Sequence, residues 1–354
     1  MNNCPRLEVD LKKIKHNVNT LATMCKNAGI QTAGVTKVFC GIPDIAQAMV
    51  DAGISMLADS RIENLIKIQN ISVPKLLLRL PMISQVKEVV QYADISLNSE
   101  LATIQALSKA ALELGKTHKI ILMIDLGDLR EGVWRDQVFS TIEEIMKLNG
   151  IALYGIGTNL TCYGGVIPNQ ENLGMLAGFA DDIENTFNMK LEIVSGGNSS
   201  SLYLISNGGL PNRINHLRLG EAVVLGRETA YGDAIDNTYQ DAFTFAAEII
   251  ELKEKPSIPI GEIGMDAFGN KPTFEDRGIR KRAILAVGRQ DVSVQNLIPL
   301  DDKINILGAS SDHLIIDVTD CEKTYHVGDE VMFNIEYGAL LQLMTSEYVA
   351  KIMK

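Results

Sequence analysis

The apolar residues of this chain follow two alternating patterns. Short runs such as 32–38 and 119–126 are almost continuously apolar, which is typical of buried strands. Between such runs the apolar positions recur every three or four residues, and in the segment 11–28 Ile14 and Val18 fall on one face of a helix. A strand followed by a helix is therefore the repeating unit of the chain.

Eight such units follow an opening strand, LEVD, at 7–10. Continuous apolar strands that alternate with helices predict a parallel sheet covered on both faces, and eight units favour a closed (β/α)8 barrel over an open doubly wound sheet. The predicted barrel strands lie at 32–38, 55–59, 75–80, 93–98, 119–126, 151–158, 191–195 and 214–220. The predicted helices lie near 11–28, 43–52, 60–70, 84–91, 99–115, 136–149, 170–187 and 199–206.

The pattern changes after about residue 232. The apolar runs are then bounded by Gly, Pro and Asp, as in FTFAAEIIEL, RKRAILAVG, DHLIIDVTD and DEVMFNIEY, with no long helical period until the end of the chain. We therefore predict two domains, a (β/α)8 barrel at 1–232 and a mainly β domain at 233–354.

Composition disfavours several classes of partner. The formal net charge of −11 argues against nucleic acid and anionic lipid, and it attracts cationic small molecules. Five scattered cysteines without a CxxC pair indicate neither a disulfide framework nor a thiolate zinc site. No segment approaches the ~20 apolar residues of a membrane span, and the N-terminus lacks the apolar region of a signal peptide. We expect a cytoplasmic protein without a membrane or nucleic-acid partner.

Polar residues stand where the predicted strands end, and barrel enzymes build their sites at the carboxyl ends of their strands. Lys37 ends the first predicted barrel strand. An ammonium group in a desolvated barrel mouth costs free energy unless it is paired or converted, and Schiff-base formation is one such conversion. A lysine that merely extends to the rim is the alternative. The other strand-end residues are Asp59, Arg79, Asn98, Asp125, Arg130, Asn159, Ser195, Arg218 and Glu221.

Two loops indicate a phosphate site. SGGNSSS at 195–201 follows a strand and opens a predicted helix, so backbone N–H groups, hydroxyl groups and a positive helix end converge. The eighth strand adds RLGEAVVLG, where Gly220 allows close backbone approach. An ordinary turn with a helix cap would explain either loop alone. Together with Lys37 and a neighbouring arginine, the two loops indicate a pyridoxal phosphate site.

Over nearly its whole length the chain resembles the alanine racemase family, the barrel-type (fold type III) pyridoxal phosphate enzymes. The resemblance lies in LEVDLKKIKHNVNTL, AGVTKV, IDLGDLREGVW, TNLTCYGG, GGNSSS, LRLGEAVVLG, SSDHLIIDV and IEYGALLQLMTS. It implies an amino-acid racemase that exchanges the α-proton of its substrate. The segments ADSRIENL, RLGEAVVLGRET and GEIGMDAFG look more like the ornithine racemase branch of the family than like alanine racemase proper.

The resemblance implies a role for each matched residue. Lys37 would hold the cofactor as an imine and move a proton on one face of the substrate, while Arg218 would pair with the pyridine nitrogen. The other cofactor-binding residues would be Asn159 at the ring and Ser199, Gly220, Glu221 and Tyr337 at the phosphate. The substrate-binding residues would be Arg130, near the substrate carboxylate, and Ser311 and Asp312, at the site entrance.

Racemisation needs a second acid/base on the opposite face, which the family takes from a tyrosine of the partner subunit in a head-to-tail homodimer with shared active sites. The corresponding region here, PIGEIGMDAFGNKPTF, has no tyrosine. Asp266 is the nearest titratable residue and would serve if desolvation raised its pKa; a solvated loop aspartate is the alternative. Tyr231 and Cys162 are weaker candidates.

The expected substrate is a basic amino acid, with ornithine first and lysine second. One or two carboxylates facing the pocket would select a cationic side chain, although salt-bridged surface acids are the alternative. The candidates are Asp59, Glu221, Glu228, Asp233, Glu262 and Asp266. Other functions remain open: an alanine or broad-specificity racemase, a D-amino-acid lyase (aldolase or dehydratase) of the same fold, and a non-catalytic pyridoxal phosphate-binding protein. No metal is predicted, because the histidines form no HxD or HxC pair in the C-terminal part.

Overall fold

The computed structural model describes residues 4–354, which form two compact units. One unit is Lys12–Gln240. The other combines the N-terminal segment up to Leu11 with Asp241–Lys354. The opening strand therefore belongs to the second unit, and the units divide after Gln240, whereas the sequence pattern changes near residue 232.

The elements follow the predicted order. The strands are β1 (Arg6–Val9), β2 (Gln31–Val35), β3 (Met56–Asp59), β4 (Lys75–Leu77), β5 (Ile95–Asn98), β6 (His118–Met123), β7 (Ile151–Gly157), β8 (Ile193–Ser195), β9 (His216–Leu219), β10 (Phe243–Pro256), β11 (Ile279–Leu285), β12 (Leu297–Pro299), β13 (Asn305–Ala309), β14 (Leu314–Asp317), β15 (Glu330–Ile335) and β16 (Ala350–Met353). The α-helices are α1 (Leu11–Asn27), α2 (Pro43–Asp51), α3 (Ile62–Lys67), α4 (Val86–Tyr92), α5 (Leu101–Glu113), α6 (Val138–Ile145), α7 (Gln170–Phe187), α8 (Leu202–Ser206), α9 (Glu221–Leu225) and α10 (Tyr337–Thr345).

Strands β2 to β9 form a closed barrel, in which each strand pairs in parallel with the next and β9 pairs with β2. The predicted (β/α)8 barrel is confirmed. Alternate residues of successive strands form one buried cluster: Ala33, Val35, Met56, Ala58, Leu76, Ile95, Leu97, Ile121, Met123 and Ile193. The residues between them face the helices; at Gly34, for example, a Cβ would stand 2.5 Å from Met49 Cε of α2. Both faces of the strands are apolar because both are buried.

The second unit is a largely antiparallel sheet in the order β12-β15-β10-β11-β14-β13. Strand β1 pairs antiparallel with β10 and parallel with β16. Its core includes Phe245 and Phe333, which are fully buried with ring centroids 5.9 Å apart. The predicted mainly β domain is confirmed. No helix within residues 4–354 is long and apolar enough to cross a bilayer.

Local sequence explains where α7 begins and ends. Its Ncap, Asn169, accepts a hydrogen bond from Asn172 N at 2.9 Å, and the Asn172 side chain accepts one from Asn169 N at 2.8 Å. This reciprocal pair satisfies two backbone donors that a helix start leaves without partners. The helix ends at Asn188, whose φ of 47° is left-handed.

Two histidines are buried in the barrel unit. His118 opens β6 rather than lying in a loop, and its ring lies 2.8 Å from Ser96 Oγ. Burial lowers the pKa of His118 to about 4. Burial, together with the charge of Arg218, lowers the pKa of His216 to about 3. The fold therefore holds both rings neutral, whereas the unfolded chain protonates them near pH 6.5.

We expect acid to destabilise the barrel through these rings. Between pH 6.5 and about 4 the unfolded chain binds a proton at His118 that the fold excludes, so stability is present above pH 6.5 and falls as the pH falls. Because His118 is neutral in the fold, it should lower the free energy of unfolding by about 2 kcal/mol as the pH falls from 7.5 to 5. The free energy of unfolding of His118→Gln, measured in urea, should therefore decrease less than that of the wild type over this range. The exposed His313, changed to Gln, is the matched control, and equal slopes in all three proteins would refute the prediction.

Candidate active site

Arg218 is a buried cation at the carboxyl end of β9 and is only 3% exposed. Its guanidinium donates to the Ser195 hydroxyl, to Thr158 O at 2.8 Å and to Asn159 Oδ1 at 3.3 Å. All three acceptors are neutral groups at the ends of β7 and β8. Burial lowers the pKa of Arg218 to about 10, against the opposing charges of Glu131 and Cys162, so the group is still a cation at neutral pH.

A chain of polar contacts leads outward from this arginine. Asn198 Nδ2 lies 3.3 Å from Asn159 Oδ1, 2.9 Å from Leu160 O and 3.4 Å from Cys162 Sγ. Asn159 is 9% exposed, and its Nδ2 has no hydrogen-bond partner among the described residues. Because Asn159 Oδ1 accepts from two donors, the orientation of the amide is fixed and an unused donor is left in the barrel mouth.

The predicted phosphate residues lie together at the ends of β8 and β9. Ser199 is buried, and its Oγ accepts long hydrogen bonds from Gly220 N and Ala222 N, both at 3.3 Å. Glu221 follows Gly220 as the first residue of α9 and is half-buried. The structure therefore brings Ser199, Gly220 and Glu221 together, as the phosphate prediction requires.

The loop before Ser199 has room only for glycine. A Cβ at Gly196 would stand 2.5 Å from Ile214 Cγ2, and Gly197 has a φ of +109°. The predicted helix at 199–206 is a 3-10 turn, Ser199–Ser201, followed by α8. The Ser200 hydroxyl is fully buried and has no partner among residues 4–354.

Lys37 lies on a 3-10 turn, Lys37–Phe39, just beyond β2 rather than on the strand itself, and it is exposed. Strand β2 pairs with β9, and a Cβ at Gly220 would stand 3.3 Å from Val35 Cβ. The turn that carries Lys37 therefore begins next to the strand end that carries Arg218 and Gly220.

Arg130 forms a two-point ion pair with Glu131. This pair is the main cause of the raised pKa of Arg130. Gly132 sits directly after the pair with a φ of +143°, and a Cβ there would stand 2.3 Å from Asp125 N. The predicted carboxylate-binding arginine is therefore held in a tight turn with a carboxylate already against it.

Two predicted substrate-reading carboxylates are engaged by their own chain. Asp59 accepts from the Thr36 hydroxyl at 2.6 Å and from Asn64 Nδ2 at 3.1 Å, and burial raises its pKa. Glu228 is buried and accepts three backbone N–H bonds from the loop 230–233. Both carboxylates shape the barrel mouth, and neither is left to read a substrate.

Asp128 joins two loops at the mouth. It is 1% exposed, and its carboxylate accepts from the backbone N–H groups of Thr161 at 3.1 Å, Tyr163 at 3.0 Å and Val166 at 3.1 Å. The Thr161 hydroxyl also donates to Val166 O at 3.0 Å. The loop after β7, which contains Cys162, is therefore anchored to the loop after β6.

Three contributors were not predicted: Asn198, Asp128 and Glu131. Asn198 lies within SGGNSSS, and the two acids flank Arg130 in IDLGDLREGVW. The position of these polar residues inside SGGNSSS and IDLGDLREGVW could have marked them as candidates, but only the folded chain shows which of their atoms form contacts. Among residues 4–354, no group of three or more His, Cys, Asp and Glu side chains is arranged to hold a metal ion.

Asp266 lies in the second unit, in the loop between β10 and β11. Its carboxylate accepts from Asn270 N at 2.8 Å and Phe268 N at 2.9 Å. These bonds lower the pKa of Asp266. The predicted catalytic role calls for a pKa raised by desolvation, and it stays a prediction.

The other predicted residues of the second unit are Ser311, Asp312 and Tyr337. Ser311 and Asp312 are exposed between β13 and β14, and the Ser311 hydroxyl donates to Asp312 Oδ2 at 2.6 Å. Tyr337 is half-buried and is the first residue of α10. Their roles at the substrate entrance and the phosphate stay predictions.

The chain is similar to known racemases in sequence. The family model for the alanine racemase N-terminal domain matches residues 9–228. An ornithine racemase of Acetoanaerobium sticklandii is 53% identical over 98% of this chain and 99% of its own length. A lysine racemase of Thermotoga maritima is 44% identical over 98% of each chain.

Solved structures share the fold. An alanine racemase from a D-cycloserine-producing Streptomyces lavendulae has a TM-score of 0.76 at 17% identity, covering 99% of this chain and 96% of its own. An alanine racemase from Bartonella henselae with covalently bound pyridoxal phosphate has a TM-score of 0.74 at 19% identity, covering 99% of each. The family match over more than half of the chain and the near full-length relatives lead to one conclusion: the chain belongs to the alanine racemase family.

Proposed function

We propose that this protein is a pyridoxal phosphate-dependent racemase that interconverts the L and D forms of a basic amino acid, with ornithine as the first substrate and lysine as the second. The near full-length similarity to an ornithine racemase and a lysine racemase supports this substrate class. The observation that carries the proposal is the buried Arg218 with neutral acceptors, next to the strand end that leads to Lys37.

The residues of the barrel mouth fit the cofactor. Asn159 Nδ2 and Ser200 Oγ are buried polar atoms without partners among the described residues, and burial without a partner costs free energy. A heteroaromatic ring with a phosphate offers acceptors of the kind that these donors lack.

When bound, pyridoxal phosphate supplies an aldehyde that condenses with amines and a ring that withdraws electrons from the α-carbon of the substrate. Lys37 is the amine that holds it and that afterwards moves a proton at the α-carbon on one face. Ser199 and the backbone N–H groups of Gly220 and Ala222 would bind the phosphate. The resemblance to the family adds Glu221 and Tyr337 to these phosphate-binding residues.

Arg218 determines which chemistry follows. A guanidinium stays protonated at neutral pH even with its pKa lowered to about 10, so Arg218 would donate a hydrogen bond to the ring nitrogen of the cofactor without giving up its proton. An unprotonated ring nitrogen would make the cofactor a weaker electron acceptor. Plain proton exchange is favoured over side reactions such as transamination, which suits a racemase.

Substrate recognition starts at Arg130. A guanidinium binds a carboxylate at two points, and Arg130 is already so bound by Glu131. The α-carboxylate of the substrate would replace Glu131 on Arg130, and the displaced carboxylate would then be available to a cationic side chain. The formal net charge of −11 adds a weak long-range attraction for such substrates. Cytoplasmic location is part of the proposal, since the described cysteines are free thiols.

Replacing Lys37 should abolish both cofactor retention and catalysis. Lys37→Ala should lose the visible absorbance of bound cofactor after dialysis and lower racemisation at least ~10³-fold, because the attachment point and one acid/base are removed together. Absorption spectroscopy and chiral chromatography are the measurements. Lys26→Ala, an exposed lysine at the end of α1, is the matched control and should behave as wild type. A Lys37→Ala protein that keeps cofactor and rate would refute the role of this residue.

The substrate class is tested by proton NMR in D2O with added pyridoxal phosphate. L-ornithine, L-lysine, L-arginine, L-alanine and L-serine are offered separately, and the loss of the α-hydrogen signal is followed by chiral analysis. We expect ornithine to exceed alanine at least ~10-fold in kcat/KM, because a buried charge is discriminated better than a missing methylene. New aldehyde or keto-acid signals would indicate a lyase instead, and a preference for alanine would contradict the basic-substrate proposal.

The proposed assembly is a head-to-tail homodimer with shared active sites. Light scattering of the cofactor-loaded protein should give twice the 38.7 kDa mass of the chain. Dilution below the dissociation constant should lower the specific activity, since each site would take residues from both copies. A monodisperse monomer with full activity would contradict this assembly.

A further inference from the structure

Racemisation needs two groups that exchange protons with opposite faces of the α-carbon. Lys37 supplies one, and the loop where relatives place a tyrosine has none here. In the described chain the Asp266 carboxylate accepts hydrogen bonds from Phe268 N and Asn270 N of its own loop, and these bonds lower its pKa. The barrel mouth offers a further candidate for this role.

Most titratable groups at the mouth are held by their own chain. Asp59, Asp128 and Glu228 each accept three hydrogen bonds from nearby groups of the chain. Glu131 is paired with Arg130. Cys162 differs from them, because its thiol is exposed and, within residues 4–354, accepts a single long hydrogen bond, from the neutral amide Asn198 Nδ2 at 3.4 Å.

The same amide connects Cys162 to the ring-binding residues. Asn198 Nδ2 also lies 3.3 Å from Asn159 Oδ1, which in turn lies 3.3 Å from the Arg218 guanidinium. Asn159 is 9% exposed, and its Nδ2 is a hydrogen-bond donor without a partner among residues 4–354. The thiol therefore lies near a buried donor that a bound ligand could satisfy.

The loop holds the thiol in place. Thr161 and Tyr163, on either side of Cys162, both donate their backbone N–H groups to Asp128. Thr161 has a φ of +61°, which is sterically costly for a β-branched residue and needs such anchoring. An acid/base works only from a fixed position, and the Asp128 carboxylate provides it.

We propose that Cys162 is the second acid/base of the racemase, on the face of the α-carbon opposite to Lys37. This inference rests on the proposed function. In one direction the Lys37 amine would take the α-proton and leave the electron pair of the broken C–H bond on the substrate, where the bound cofactor would stabilise it. The same pair would then form the new C–H bond with the proton that the Cys162 thiol gives to the other face, leaving a thiolate. The thiolate and the ammonium group then exchange roles for the reverse direction, so no net proton is taken up or released.

The test uses Cys162→Ala and Cys162→Ser, with Cys321→Ala as the matched control in the second unit. Both Cys162 variants should retain cofactor absorbance and lower racemisation of L-ornithine about 10²–10⁴-fold. In D2O they should still exchange the α-hydrogen of one enantiomer, the one that Lys37 deprotonates, while exchange of the other enantiomer is lost. This asymmetry separates a proton-transfer role from a structural one, which would lower both exchanges alike.

A second readout does not depend on turnover. Iodoacetamide labelling of the wild-type protein, located by mass spectrometry, should modify Cys162 rapidly in the cofactor-free protein and at least ~10-fold more slowly with pyridoxal phosphate and L-ornithine bound, while labelling of Cys321 is unchanged. Three results would overturn the assignment. The Cys162 variants could racemise L-ornithine at the wild-type rate, they could lose the α-hydrogen exchange of both enantiomers equally, or Cys162 could be labelled at the same rate with and without the ligands. If the wild-type protein itself exchanges no amino acid, the proposed function fails, and this inference fails with it.

Discussion

The parallel pairing of β2 with β9 is the contact on which the site depends. It closes the barrel, and its register sets Ala33 opposite Arg218 and Gly34 opposite Leu219. Closure therefore places the turn of Lys37 next to the strand end that carries Arg218 and Gly220. The first and last barrel strands are far apart in the sequence, so this proximity forms only when all eight strands are in place, and the loop-closure entropy is offset by burial of apolar residues on both faces of the sheet.

Buried carboxylates shape the mouth of the barrel. Asp59, Asp128 and Glu228 are each at least nine-tenths buried, and each accepts hydrogen bonds from loop N–H groups or short polar side chains. A buried charge is tolerated because several donors replace its hydration. The same hydrogen bonds hold the loops, which have no apolar core of their own, in one conformation. Two of the six carboxylates that the sequence suggests as substrate readers, Asp59 and Glu228, are thus engaged in holding loops.

Arg218 is the opposite case, a buried cation whose acceptors are all neutral. Its neighbours Ser195 and His216 continue a polar line into the barrel, with Ser195 Oγ 2.9 Å from His216 Nδ1. Because the charge of Arg218 helps to lower the pKa of His216, the ring stays neutral and does not compete as a second cation. His216 therefore adds no second buried cation beside Arg218, whose guanidinium is held by neutral acceptors at the ends of β7 and β8.

The sequence alone determined the fold class, since the eight apolar strands and the helices between them are local periodicities that any closed parallel barrel must satisfy. It also determined the candidate residues Lys37, Asn159, Ser199 and Arg218, because strand ends and glycine-rich loops are visible as patterns. Only the tertiary structure decided which carboxylates are engaged, since a hydrogen bond such as that from Tyr163 N to Asp128 joins residues distant in sequence. It also decided the surroundings of Asp266 and Cys162, because desolvation and neighbouring donors are properties of a packed environment and not of a residue type.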